Sequence, residues 1–168
     1  MEGSGIYVIM ICYHPDGKGL GNGYPVSAVI MTEELGQMAA TDGFHYAQSH
    51  QNDPMGAAIA LQVLEVIENE NLLAHGRKMG EYLRTWYHQL QKVTGCISEI
   101  RGIGMMNCIQ LKDSYKEEDM IVLDQRLCQA GFLVAVKPTQ RVIRTYAPLI
   151  LNEKMIDAYC IELKSLLI

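Results

Sequence analysis

Residues 95–111 read GCISEIRGIGMMNCIQL: two stretches carrying apolar residues, Ile97–Arg101 and Met105–Leu111, lie on either side of Gly102-Ile103-Gly104. Apolar and β-branched side chains bounded by glycine predict two strands. Downstream, Glu117–Ala130 predicts a helix stopped by Gly131, and Phe132–Val136 and Arg141–Tyr146 predict two more strands joined by a turn containing Pro138. Asn152 is placed to cap a final helix carrying Met155, Ile156, Tyr159, Cys160, Leu163, Leu166 and Leu167. The order strand-strand-helix-strand-strand-helix predicts an α+β unit, with helices on one face of a small antiparallel sheet. No internal repeat is evident.

Upstream, Leu72, Met79, Leu83, Trp86 and Leu90 recur at helical spacing between Asn71 and Gln91, leaving Arg77, Lys78, Glu81 and Arg84 for solvent. Asp53-Pro54 predicts another helix start, the carboxylate free to cap and the proline suited to the first helical position, with the helix running to about Glu68. That helix is apolar nearly all round, from Ala57 to Ile67, so it is expected to bury itself against a sheet or a second subunit. Thr32-Glu33-Glu34-Leu35 opens a short helix, and Thr41–Asp53 reads as a polar loop. Ile6–Cys12 and Pro25–Met31 read as short strands around His14–Tyr24, a loop holding four glycines and one proline.

Of the 168 residues, 49% are hydrophobic and 20% charged, enough apolar material for a packed core. The net charge of -5 argues against a nucleic-acid partner. The five cysteines show neither zinc-ligand spacing nor a dense disulfide framework, which fits a reducing cytoplasmic setting. The apolar run at residues 6–12 is too short to span a membrane and lacks the cationic opening of a signal peptide. His45 and His50 stand in a loop without a cysteine or a clear carboxylate partner, so no metal is expected there.

The glycine loop fits neither known phosphate cradle. Lys18 is followed by glycine instead of Ser or Thr, and Gly17, Gly19, Gly21 and Gly23 do not match the dinucleotide spacing. The whole string Gly17-Lys18-Gly19-Leu20-Gly21-Asn22-Gly23-Tyr24-Pro25 instead closely resembles the lysine segment of the class III, fold-type I aminotransferases, which depend on pyridoxal phosphate. The resemblance continues through Gln48–Gly56, Leu64–Glu68, Glu70-Asn71-Leu72, Ile100–Met106 and Val142–Leu149, in order, over about residues 15–167.

The resemblance implies that Lys18 forms the Schiff base with the cofactor, and that Ser49 stands where the family's threonine holds the cofactor phosphate of the neighbouring subunit. It implies that Arg144 takes the substrate's α-carboxylate. The expected reaction is transamination of an amino acid or ω-amino compound of the ornithine, acetylornithine or 4-aminobutyrate type, with a 2-oxo acid acceptor, in a homodimer. The chemistry suits these residue types. A lysine amine adds to an aldehyde and, once displaced, carries a proton; an arginine fork makes two parallel hydrogen bonds to a carboxylate. Outside that context Lys18 is a solvated loop lysine, Ser49 a cap or turn residue, and Arg144 the partner of an acidic neighbour.

On this resemblance residues 1–92 correspond to part of the large, α/β cofactor domain with the lysine loop and long helices, and residues 93–168 to the α+β small domain. Members of the family are commonly more than twice this length. Their phosphate loop, ring-stacking aromatic residue and pyridine-binding aspartate have no counterpart in residues 1–14. Two readings follow: the C-terminal half of a transaminase that acts when complemented by the other half, or a non-catalytic interaction or dimerisation module of the same fold.

Overall fold

The computed structural model describes residues 19–28, 31–43 and 53–168. The expected strand at residues 6–12, Lys18, Ser49 and most of the polar loop lie outside them. The elements, in order, are α1 (Glu33–Thr41), α2 (Pro54–Asn69), α3 (Leu72–Thr94), β1 (Ile97–Ile103), β2 (Met106–Leu111), α4 (Glu117–Gln129), β3 (Ala135–Lys137), a 3-10 turn at Pro138–Gln140, β4 (Val142–Tyr146) and α5 (Glu153–Leu167). They fall into two compact units, Met1–Glu70 and Asn71–Ile168. The division comes ahead of the boundary expected after residue 92 because α3 packs on the sheet and belongs with it. Among the described residues no helix is long and apolar enough to cross a membrane.

In the second unit the four strands form one antiparallel sheet in the order β1-β2-β4-β3. Alternation decides which face is covered. Ile109 and Leu111 of β2 and Ile143 of β4 point into the helices, while Cys108, Gln110 and Arg144 take the other side. The core joins Met79, Leu83, Tyr87 and Leu90 of α3 to Met120, Leu123 and Leu127 of α4 and Ile156, Cys160 and Leu163 of α5. Each of those helices buries one stripe, as the helical spacing in the sequence requires.

α4 ends ahead of Gly131 as expected, but the strand after it starts later than the sequence predicts. Ala130 caps the helix, Gly131 follows at φ +91°, its N–H reaches the Cys128 carbonyl at 3.0 Å, and the Phe132 N–H reaches the Leu127 carbonyl at 2.8 Å. This pair of bonds is a Schellman closure. It commits Phe132 to ending the helix, and its ring meets Tyr159 edge-on at 5.6 Å, so β3 starts at Ala135 and not at Phe132.

Arg84, expected in solvent, is half-buried: its Nη1 donates to the Gly104 carbonyl at 3.2 Å and to Asn107 Oδ1 at 2.9 Å, and Asn107 Nδ2 donates to the same carbonyl at 2.9 Å. These bonds clamp the β1–β2 turn onto α3. The approach is so close that a Cβ on Gly80 would stand 1.9 Å from the Gly104 oxygen.

In the first unit α1 begins as expected, Thr32 accepting from the Leu35 N–H at 3.3 Å. Residues 25–28 carry no strand pairing among the described residues, and residues 29–30 of the expected strand at Pro25–Met31 lie outside them. Burial of α2, expected against a sheet or a second subunit, is not seen among the described residues. Gly56 is its one buried residue, and Met55, Leu61, Leu64 and Val66 are exposed.

Gly80→Ala is expected to lower the stability of the second unit by about 1–3 kcal/mol through overpacking against backbone that has little room to move. Urea unfolding followed by near-UV circular dichroism checks it; an unchanged midpoint would contradict the close approach.

Candidate functional site

In the first unit, the described residues next to Lys18 form a tight turn. The Tyr24 N–H reaches the Gly21 carbonyl at 2.9 Å, with Asn22 at φ 44° and Gly23 at φ 106° between them. Both central residues are left-handed, a geometry that asparagine and glycine tolerate. Gly21 is required for a second reason, since its Cβ would stand 2.0 Å from the Tyr24 oxygen.

Asp53 joins this turn to α2. Its Oδ1 accepts the Met55 N–H at 3.0 Å as the helix cap, and its Oδ2 accepts the Tyr24 hydroxyl at 2.9 Å. That bond, followed by desolvation and the carboxylate's charge, raises the Tyr24 pKa. Gly56 admits Tyr24 and Val26 within 3.4 Å of its Cβ position, so the first turn of α2 packs on residues 24–26. The capping role of Asp53 was legible from Asp-Pro; its bond to Tyr24 was not, because no local spacing relates residues 24 and 53. Lys18 and Ser49 belong, in sequence, to the segments on either side of this contact, outside the described residues.

In the second unit, the structure places Arg144 on β4, on the sheet face opposite α3, α4 and α5, half-buried and with no ion pair among the described residues. The register aligns Arg101, Cys108 and Arg144 in one row across three strands. Arg101 pairs with Glu99 and approaches Gln110 Oε1 at 3.4 Å. The Cys108 thiol first, and Glu99 second, raise the pKa of its guanidinium. Together with Gly102, Met106, Asn107 and Tyr146 these residues line a shallow hollow of about 210 Å³. Sequence reading singled out Arg144 alone. Alternation against Ile100 and Ile109 carries the signal for Arg101 and Cys108, but their alignment with Arg144 needs the strand register.

Behind Arg144, on the covered face, Thr145 meets the Tyr87 hydroxyl at 2.5 Å, and Tyr87 donates to Tyr159 at 3.4 Å. This buried chain ties β4 to α3 and α5 and so holds the strand that presents Arg144. Burial pushes Tyr159 and Cys160 each up to about 12, and raises Tyr87 well above its usual value.

A pKa raised in the fold favours the protonated form. The associated stability is therefore complete below the ordinary values of about 9–10 and is lost as pH climbs towards 12. Thermal melts between about pH 8 and 11 are expected to show a steep alkaline loss. Tyr87→Phe, which strands the Thr145 hydroxyl, is expected to cost about 1–3 kcal/mol at neutral pH and to flatten that loss.

The chain matches the model of the aminotransferase class-III family over residues 10–167. It is 34% identical over 151 residues to the ethanolamine-phosphate phospho-lyase homolog 1 of Caenorhabditis elegans, covering 83% of this chain and 31% of that protein. It is 28% identical over 157 residues to an alanine–glyoxylate aminotransferase 2-like protein of Drosophila melanogaster, covering 89% of this chain and 32% of that one. A solved phospholyase from Arthrobacter in complex with phosphoethanolamine superimposes with a TM-score of 0.81 at 25% identity, over 90% of this chain and 37% of that one. The chain thus spans about a third of the length of the relatives it matches. A match running from the glycine turn through the arginine strand to the last helix places this chain in the class-III aminotransferase family, whose cofactor is pyridoxal 5'-phosphate.

Proposed function

We propose that the chain serves pyridoxal-phosphate-dependent transamination of an amino acid or ω-amino compound, with a 2-oxo acid as acceptor. Arg144 carries the reading from geometry: a half-buried side chain, without an ion pair among the described residues, on the face of the sheet opposite α3, α4 and α5. Its planar fork matches a carboxylate with two parallel hydrogen bonds, which fixes the orientation of the substrate.

The residues present fit the cofactor. No described atom lies within 4 Å of the Cβ position of Gly19, the residue after Lys18. An amine, a hydroxyl and a guanidinium are the donors that an aldehyde, a phosphate and a carboxylate call for. When bound, the cofactor supplies an aldehyde for the substrate amine and an electron sink for charge developing at the α-carbon. Lys18 is the residue proposed to hold it and to move a proton at the substrate α-carbon. Ser49 is proposed to hold its phosphate, and Arg144 the substrate carboxylate.

The exposed apolar side chains of α2 (Met55, Leu61, Leu64 and Val66) support a homodimer, since a partner would remove them from water at roughly 25 cal/mol per Å². A cytoplasmic location accords with the four free cysteines among the described residues. A second reading, a lyase acting on an amino phosphate ester, is favoured by the likeness to the two phospho-lyases; it uses the same cofactor and the same Lys18.

Mixing the 168-residue chain with pyridoxal phosphate, reducing with borohydride and mapping peptides is expected to label Lys18 alone. No label, or label spread over surface lysines, would overturn the cofactor role and leave the interaction-module reading. Sedimentation is expected to show a dimer, and a monodisperse monomer would refute that assembly.

A further inference from the structure

The row Arg101–Cys108–Arg144 holds two cations where recognition of one carboxylate needs only one. Both arginines are in register with Cys108, one on either neighbouring strand. With strands about 4.8 Å apart, their backbones flank the thiol symmetrically at a spacing that two long side chains can close from both sides. Arg101 and Arg144 line the hollow beside Cys108, together with the exposed residues Met106 and Tyr146. Glu99 is the carboxylate paired with Arg101, and both partners are largely exposed. Exposed pairs of this kind contribute little, so a ligand anion can displace Glu99 at small cost.

We propose that Arg101 is a specificity-determining residue that contacts the substrate beside Arg144, so that this face prefers small organic molecules bearing two negative charges over monocarboxylates. The inference rests on the reading of Arg144 as a carboxylate-binding residue. The shared chemistry is a doubly charged oxyanion set, which either a phosphate monoester or a dicarboxylate supplies. One guanidinium neutralises one charge; the second negative charge requires Arg101.

Cys108 is a built-in reporter, because an anion held between the arginines shields its thiol. The full 168-residue chain is alkylated with iodoacetamide, and the Cys108 peptide is quantified against that of exposed Cys128. The probes are inorganic phosphate, glutarate and acetate at matched ionic strength. Buried Cys96 and Cys160 remaining unmodified confirms that each variant is folded. Phosphate, glutarate or both are expected to slow Cys108 alkylation about threefold more than acetate does. Protection by phosphate alone identifies the monoester class, and by glutarate alone the dicarboxylate class.

Arg101→Gln is expected to reduce the protection to the acetate level, and Arg144→Gln to abolish it for all three anions. A dianion preference that survives Arg101→Gln, or acetate protecting as well as the others in the parent chain, overturns the role of Arg101. Acetate protection that survives Arg144→Gln overturns the underlying reading of Arg144 instead. Arginine Nε–H shifts on titration with the same probes give a second readout with the same outcomes.

Discussion

The carbonyl of Gly104 occupies the space in which a side chain at Gly80 would begin, and that contact governs the second unit. Once the β1–β2 turn seats on α3, Arg84 and Asn107 find their partners on that carbonyl, and a polar turn is buried without leaving the Gly104 oxygen unpaired. The helix then covers one face of β1 and β2. By alternation the opposite face must carry Arg101 and Cys108, and through pairing with β2 it must also carry Arg144. Two glycines thus decide which residues stand on the face opposite α3.

The two faces of β4 divide the work. Thr145 is held inside by Tyr87 and, through it, Tyr159, in surroundings apolar enough to keep those hydroxyls protonated far into alkaline pH. Its neighbour Arg144 faces outward with its guanidinium free of an ion pair among the described residues. A buried hydroxyl contact is costly to break, so a strand anchored in this way presents its outer side chain with little freedom to drift.

In the first unit one carboxylate has a comparable role. Asp53 caps α2 with one oxygen and holds Tyr24 with the other, so the residues that follow Lys18 and the helix that follows the Ser49 segment share an anchor. The adjoining turn depends on left-handed backbone at Asn22 and Gly23 and on the lack of a side chain at Gly21. Gly21 and Gly23 therefore have a conformational cause apart from any cofactor.

Much of this was determined locally. Asp-Pro and Asn caps, the Gly131 stop, the 3.6-residue stripe of α3 and the alternation of β2 and β4 are effects of neighbours a few residues apart, and they specified the helices and the strands, while the resemblance of Val142–Leu149 to the family's segment made Arg144 a candidate. The start of β3 escaped, because Phe132 was needed for a closure whose partner is the Leu127 carbonyl. Arg84 escaped, because its acceptors lie on a turn 20 or more residues away. The grouping of Arg101 and Cys108 with Arg144, and the Tyr24–Asp53 bond, were decided only by the tertiary structure. Register and long-range packing bring together residues that no period of the chain relates.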